Sequence, residues 1–257
     1  MEEQEDGHES VGAHGERSHG NRSLRVRFIR SSWIHELQRH LLHRSRLRDD
    51  PNVDPCPQLA TALDVARSTV LGVTADQLTH PTPCSDFDVE HLAAHLLAVL
   101  VRIAAIGNGN DPMAQSDSYP VEFADWSGAW DEHVDAVNTA WATGARLDEV
   151  VHLPWSQETG RVTLLTYLNE LSVHTWDLAT ATGQSPNWDG TVLAYAFAGI
   201  RRGLPAEGRR ETFEAIFASV PAEVRAMMSF PLAEATDVPA SAPLIDQLVA
   251  WNGRRPR

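Results

Sequence analysis

From residue 57 onward, apolar positions recur three and four apart, which is the period of an amphipathic helix. Leu59, Leu63, Ala66 and Val70 share one face and predict a helix over 57–72. Residues 80–86 are rich in Pro, Thr and Ser and read as a loop. Asp88 is an N-cap candidate with Glu90 in the first turn, and it opens a second helix that runs to about 106, where Gly107-Asn108-Gly109-Asn110 stops it. A third helix is predicted over 122–142, carrying Phe123, Trp126, Trp130, Val134, Val137 and Trp141, and a fourth over 163–182, ended by Gly183. Between them, 149–155 and 160–162 predict a short extended pair. A fifth helix spans 190–202, followed by short helical pieces over 211–219, 222–229 and 244–251. The pattern predicts an all-α fold: an up-and-down four-helix bundle with additional short C-terminal helices and a short β-hairpin.

The first 52 residues do not share this pattern. They hold nine Arg and nine acids, so the net charge of −14 falls wholly on the remainder. The stretch to Ser23 has almost no large apolar residue and is expected to be disordered. A weak basic helix over 29–47 is expected to carry Trp33, Ile34, Leu37, Leu41 and Leu42 on one side. The chain therefore divides into an extension over 1–52 and a helical domain over 53–257. Val53, which a start-competent valine codon can encode, is a candidate alternative translation start, in which case 1–52 would not be translated.

The acidic domain argues against nucleic acid and anionic membrane as partners. The longest strongly apolar run, 96–101, stops at Arg102 and is too short to cross a bilayer. Cys56 and Cys84 are the only cysteines, too few for a disulfide scaffold or a four-cysteine zinc site. With no apolar signal segment in the first twenty residues, a cytoplasmic location is expected. The chain contains no lysine, so Schiff-base and lysine general-base mechanisms are excluded. The tryptophans read as core and interface mass, and the aromatic content of the third helix is compatible with a homodimer.

Twelve histidines suggest metal chemistry, but His8, His14, His19, His35, His40 and His43 lie in the extension at irregular spacings. Of the rest, His95 shares a helix face with Leu92, Leu96, Val99 and Ile106, where an imidazole is largely desolvated and needs a partner. That partner is either a backbone carbonyl or a metal. Glu170 and His174 are four apart, with Cβ atoms roughly 6 Å apart on one helix face. Thr163, Tyr167 and Asp177 share that edge, which holds no long basic residue. It is either a solvated face with a Glu–His pair or the wall of a pocket. Taken together, two imidazoles and a carboxylate delivered by facing helices form a three-ligand set with positions left open. Zn²⁺ fits this mixed nitrogen and oxygen set, as do Ni²⁺, Fe²⁺ and Mn²⁺. Arg102, two turns beyond His95, is a candidate to bind a substrate carboxylate; Tyr167 and Asp177 are candidates to orient the ligands. Cys84 reads as a half-buried loop residue, with a reactive role as the alternative.

The run Thr82-Pro83-Cys84-Ser85-Asp86-Phe87-Asp88-Val89-Glu90-His91-Leu92-Ala93-Ala94-His95-Leu96 resembles the opening motif of the mycothiol-dependent maleylpyruvate isomerase metal-binding domain, a family of the DinB-like bundle superfamily. Glu170-Leu171-Ser172-Val173-His174-Thr175-Trp176-Asp177-Leu178-Ala179 resembles its second motif, and Leu244–Pro256 is similar to the C-terminal end of one metal-binding branch. The resemblance implies that His95, Glu170 and His174 are the metal ligands, that His91 occupies a variable position, and that Phe87 stands where the family usually has Trp. It also implies mycothiol or a similar low-molecular-weight thiol as cosubstrate, with a small-molecule electrophile as its target. The 55 residues after position 202 are short for the additional C-terminal domain of the isomerase, so the isomerase reaction itself is not implied.

Three functional classes follow. The first is a metal-dependent enzyme of thiol-transfer or isomerisation type. The second is a non-catalytic bundle stapled by metal. The third is a ferrous oxygenase, since two His and one carboxylate also describe that site.

Overall fold

The computed structural model describes residues 54–116, 118–153, 156–216 and 233–256. The expected extension over 1–52, its basic helix over 29–47 and the short helix over 222–229 lie outside the described residues. Within them the fold is mostly α, with helices α1 (Cys56–Leu71), α2 (Val89–Gly107), α3 (Trp126–Trp141), α4 (Gly160–Thr182), α5 (Gly190–Gly203), α6 (Arg209–Ile216) and α7 (Leu244–Trp251). Strands β1 (Val150–Leu153) and β2 (Ser156–Thr159) form one antiparallel hairpin.

Helices α1 to α4 make the bundle. Around its ring, α4 packs beside both α1 and α2, while α3 packs beside α2 and α1. The long connection 72–88 thus carries the chain across the bundle and sets α2 against α4. This is the pairing that the site depends on. α5 covers α4 from outside, and α7 packs on α5 and α4.

The apolar faces are those the periodicity predicts. Leu59, Leu63, Ala66 and Val70 of α1 are buried, as are Trp126, Trp130, Val137 and Trp141 of α3. These tryptophans point inward and serve as core mass. α2 is 19 residues long and apolar enough by length and composition to cross a membrane, a longer apolar element than the 96–101 run indicates. Most of its residues are instead buried in the bundle, from Val89 through Leu100 to Ile106.

Local chemistry sets the helix ends. The Asp88 carboxylate accepts from the His91 amide at 2.9 Å, as the N-cap expectation requires. α2 ends at Gly107, where a Cβ would lie 2.7 Å from the Ala140 Cβ and 2.8 Å from Trp141 Nε1, so glycine permits the close approach to α3. The indole instead donates to the Ile103 carbonyl at 3.0 Å. α3 starts at Trp126 and not at 122, after a 3₁₀ turn over Phe123–Asp125.

The hairpin corrects one expectation. β1 falls where predicted, but its partner is 156–159 and not 160–162. Thr159 caps α4, accepting from the Val162 amide, and Gly160 is the first helical residue. A Cβ on Gly160 would meet the Arg146 carbonyl oxygen at 2.2 Å, so this glycine permits a close approach at a helix start. α4 therefore begins one turn earlier than its apolar pattern indicates.

The tightest crossing is that of α5 on α4, where a Cβ on Gly199 would lie 2.6 Å from the Leu165 carbonyl oxygen. Gly199→Ala is expected to destabilise the protein by about 1–3 kcal/mol, the usual range for overpacking. Denaturant unfolding followed by circular dichroism measures this. An unchanged midpoint would contradict the close approach.

Candidate metal centre

α2 and α4 bring His95, Glu170 and His174 together, with one ligand atom from each lying within 4.8 Å of the others. His95 Nε2 is 3.2 Å from Glu170 Oε1, and His174 Nε2 is 3.3 Å from the same oxygen. Tetrahedral ligands about 2.0–2.2 Å from an ion are separated by about 3.4 Å, so these two spacings already match the edges of a coordination polyhedron. The imidazoles meet edge to face, 5.0 Å between centroids. His95 and His174 are buried at 7% and 8% exposure, whereas Glu170 keeps 38% of its side-chain surface and opens the cluster to solvent.

The loop ahead of α2 forms one wall. Thr82 Oγ1 donates within it, with the carbonyls of Cys84 and Phe87 at 2.9 and 2.8 Å. Phe87 is thereby held against the histidines: its ring stacks on His95 at 5.0 Å and meets His174 edge-on at 6.4 Å. The phenyl ring serves as an apolar backing for both imidazoles. Cys84 is half-buried, with its sulfur grouped with His174 and Asp177, closer to the centre than its place in a loop indicates. Burial pushes its thiol up, with Arg254 opposing.

Behind His174 lies a polar relay. Asp177 is fully buried, and its Oδ2 is 3.1 Å from His174 Nδ1. Arg254 grips the same carboxylate with both arms of its guanidinium, Nη2 to Oδ2 at 2.7 Å and Nε to Oδ1 at 3.2 Å. Within the Cys84–His174–Asp177 group, both Asp177 oxygens are already engaged by Arg254 and one also by His174. Arg254 is the site residue that the periodicity missed. The resemblance of the chain's ending to a metal-binding branch was its one signal.

Electrostatics follow from these contacts. Burial alone would push the His174 imidazole down, but the Glu170 and Asp177 carboxylates together outweigh it and raise it to about 9. Partial burial would raise the Glu170 carboxyl; His174, and then the hydrogen bond from His95, instead hold it well below the usual carboxylate range.

Tyr167 and Arg102 lie further along the same α2–α4 seam. Tyr167 is 9% exposed. Its phenol is raised by burial, lowered by the nearby Arg102 and raised by Glu170. Arg102 is half-buried, with Nη2 donating to the Gln115 carbonyl at 3.4 Å. His91 points away from the centre and pairs with its own cap residue, Asp88, at 2.6 Å. His133 packs edge-on against Tyr119, and His80 and His152 are exposed.

Residues 59–179, the segment that holds the bundle and all three clustered side chains, match the family profile described as the mycothiol maleylpyruvate isomerase N-terminal domain. The match is to this segment of the chain. The family is also the one that the two motifs resemble. Two relatives from Mycobacterium tuberculosis are similar over most of the chain: the uncharacterized protein MT0763 of strain CDC 1551 / Oshkosh and the uncharacterized protein Rv0738 of strain H37Rv. Each is 27% identical over 209 residues, covering 80% of this chain and all of the relative. No solved structure matches the chain.

Proposed function

We propose that His95, Glu170 and His174 hold a divalent metal ion, Zn²⁺ foremost, and that the protein uses it in thiol-dependent transfer or isomerisation chemistry on a small electrophile. The convergence of two imidazole nitrogens and a carboxylate oxygen within 4.8 Å carries this reading. The chemistry of the donors supports it further. Asp177, acting as a carboxylate, can only accept, so His174 Nδ1 is the donor, and the Nε2 lone pair would face the centre once an ion displaces the proton there. The Arg254 guanidinium is engaged by the Asp177 carboxylate through two of its nitrogens.

When bound, such an ion lowers the pKa of a coordinated thiol or water and polarises a substrate oxygen. The protein's own residues supply the rest. Phe87 and the buried imidazoles keep bulk water from the inner side of the site. Partly exposed Glu170 marks the open side, where a thiol and an electrophile would enter. Arg102 and Tyr167 line the continuation of the seam and would meet an anionic group on the substrate. Mycothiol is the thiol that the family's description suggests.

The test is thiol consumption with a panel of electrophiles, using metal-loaded wild type and Glu170→Ala. Wild type is expected to consume mycothiol in an electrophile-dependent way, and the variant to lose more than about 100-fold, since even outer partners of metal ligands are worth 10–100-fold. Equal rates would exclude this chemistry at the site. Metal uptake with no thiol turnover for any electrophile would favour the stapled bundle, in which the ion simply joins α2 to α4.

A further inference from the structure

The last turn of the chain is built into the metal centre. Asn252 and Asn169 exchange reciprocal side-chain hydrogen bonds, Asn169 Nδ2 to Asn252 Oδ1 at 3.2 Å and Asn252 Nδ2 to Asn169 Oδ1 at 2.8 Å, both buried. Two residues on, Arg254 binds Asp177 through its fork. These two attachments sit at positions 169 and 177 of α4 and bracket Glu170 and His174 between them. The residue linking them, Gly253, has φ of +78°, and a Cβ there would lie 2.6 Å from the Ala233 Cβ. A side chain at that position would be both strained and obstructed. The turn is further tied by the Arg254 amide to the Val249 carbonyl at 2.9 Å and by Arg254 Nη1 to the Asn252 carbonyl at 2.9 Å.

We infer that Arg254 is a positioning residue for the metal centre: through Asp177 it holds the His174 ring with Nδ1–H turned inward and Nε2 presented to His95 and Glu170. The reason is the full burial of Asp177. A carboxylate with no exposed surface keeps its charge only while paired and hydrogen-bonded. Arg254 supplies two charge-assisted bonds in a geometry a lysine cannot reproduce. Without it, the buried Asp177 carboxylate would lose both guanidinium hydrogen bonds that fix its direction, and the His174 ring would lose the partner that selects its orientation. By linkage, whatever strengthens this grip strengthens metal binding, and metal binding in turn tightens the docking of the C-terminal turn.

This inference rests on the metal reading for its consequence, but the placement of the ring can be measured without metal. Full-length wild type, Arg254→Gln and Arg254→Lys would be compared in two measurements. In the first, long-range ¹H–¹⁵N spectra of the metal-free proteins follow the His174 Nδ1–H. The wild-type proton is expected to be protected from solvent exchange, and the Arg254→Gln proton to exchange freely. In the second, Zn²⁺ affinity is measured by competition with a chromophoric chelator. Arg254→Gln is expected to bind 10–100-fold more weakly, with Arg254→Lys in between because it restores charge but not the fork. A folded Arg254→Gln protein with wild-type affinity and a protected Nδ1–H would overturn the inference. If Arg254→Gln does not fold, Arg254→Lys decides: full wild-type behaviour in both measurements would overturn it. Failure of wild type to bind Zn²⁺ would instead remove the metal reading, leaving the proton measurement to judge the role of Arg254.

Discussion

Replacing His95 and His174 together with alanine is expected to reduce bound metal from about one ion per chain to a trace, because a single carboxylate does not retain Zn²⁺ against a chelator. The bundle should survive the change. The core to which both helices contribute is untouched: Leu92, Leu96 and Leu100 of α2 and Leu164, Leu168 and Leu171 of α4 are all essentially without exposure. The Asp177–Arg254 ion pair is not altered by either substitution. Metal content of the dialysed proteins, with circular dichroism as the control for folding, gives the answer. Equal metal in wild type and the double variant would place any bound ion elsewhere.

The second large effect concerns pH. In the metal-free protein the His174 imidazole is raised to about 9 by Glu170 and Asp177, against the opposing effect of burial. Glu170 lies well below the usual carboxylate range and stays ionised through neutral pH. An incoming ion must therefore displace the His174 proton at any pH below about 9, and each unit of acidification costs tenfold in affinity. Between pH 8.5 and 6.5 the expected loss is about 100-fold for this proton alone, with the curve flattening above about 9. Chelator competition at constant ionic strength, corrected for protonation of the chelator, tests the slope. In weakly buffered solution near neutrality, Zn²⁺ should also release a proton from this ring. The same raised value stabilises the metal-free fold below about 6.5, the unfolded value, and that contribution is lost as pH rises through about 9. Acidification thus favours the metal-free fold while weakening metal binding, and a flat affinity profile would contradict the charge arrangement around His174.

The parts of this site that were legible in the sequence are those governed by local periodicity. A histidine among Leu92, Leu96 and Val99 had to be buried, and a Glu and a His four apart had to share a face. Periodicity left open whether those faces meet, and the pairing of α2 with α4 across a long connection answers that. Arg254 illustrates what local pattern does not carry. It lies 77 residues from Asp177, and nothing in the run Gly253-Arg254-Arg255-Pro256 distinguishes a buried guanidinium from a solvated one. Cys84 is similar: loop composition gave its half-burial but not its place beside His174 and Asp177. The misplaced second strand has a local cause. Gly160 and the apolar Val162 fit an extended segment as well as a helix start, and the decision rests on the Thr159 cap and on the Arg146 carbonyl that Gly160 alone admits.

The central claim is the identity of the three ligands, and X-ray absorption at the zinc edge of the loaded protein tests it most directly. A first shell of nitrogen and oxygen at about 2.0–2.2 Å, with the scattering pattern of two imidazoles that falls to one in His95→Ala, is the predicted result. A sulfur shell at about 2.3 Å in the absence of added thiol, or an imidazole count unchanged by His95→Ala, would contradict it.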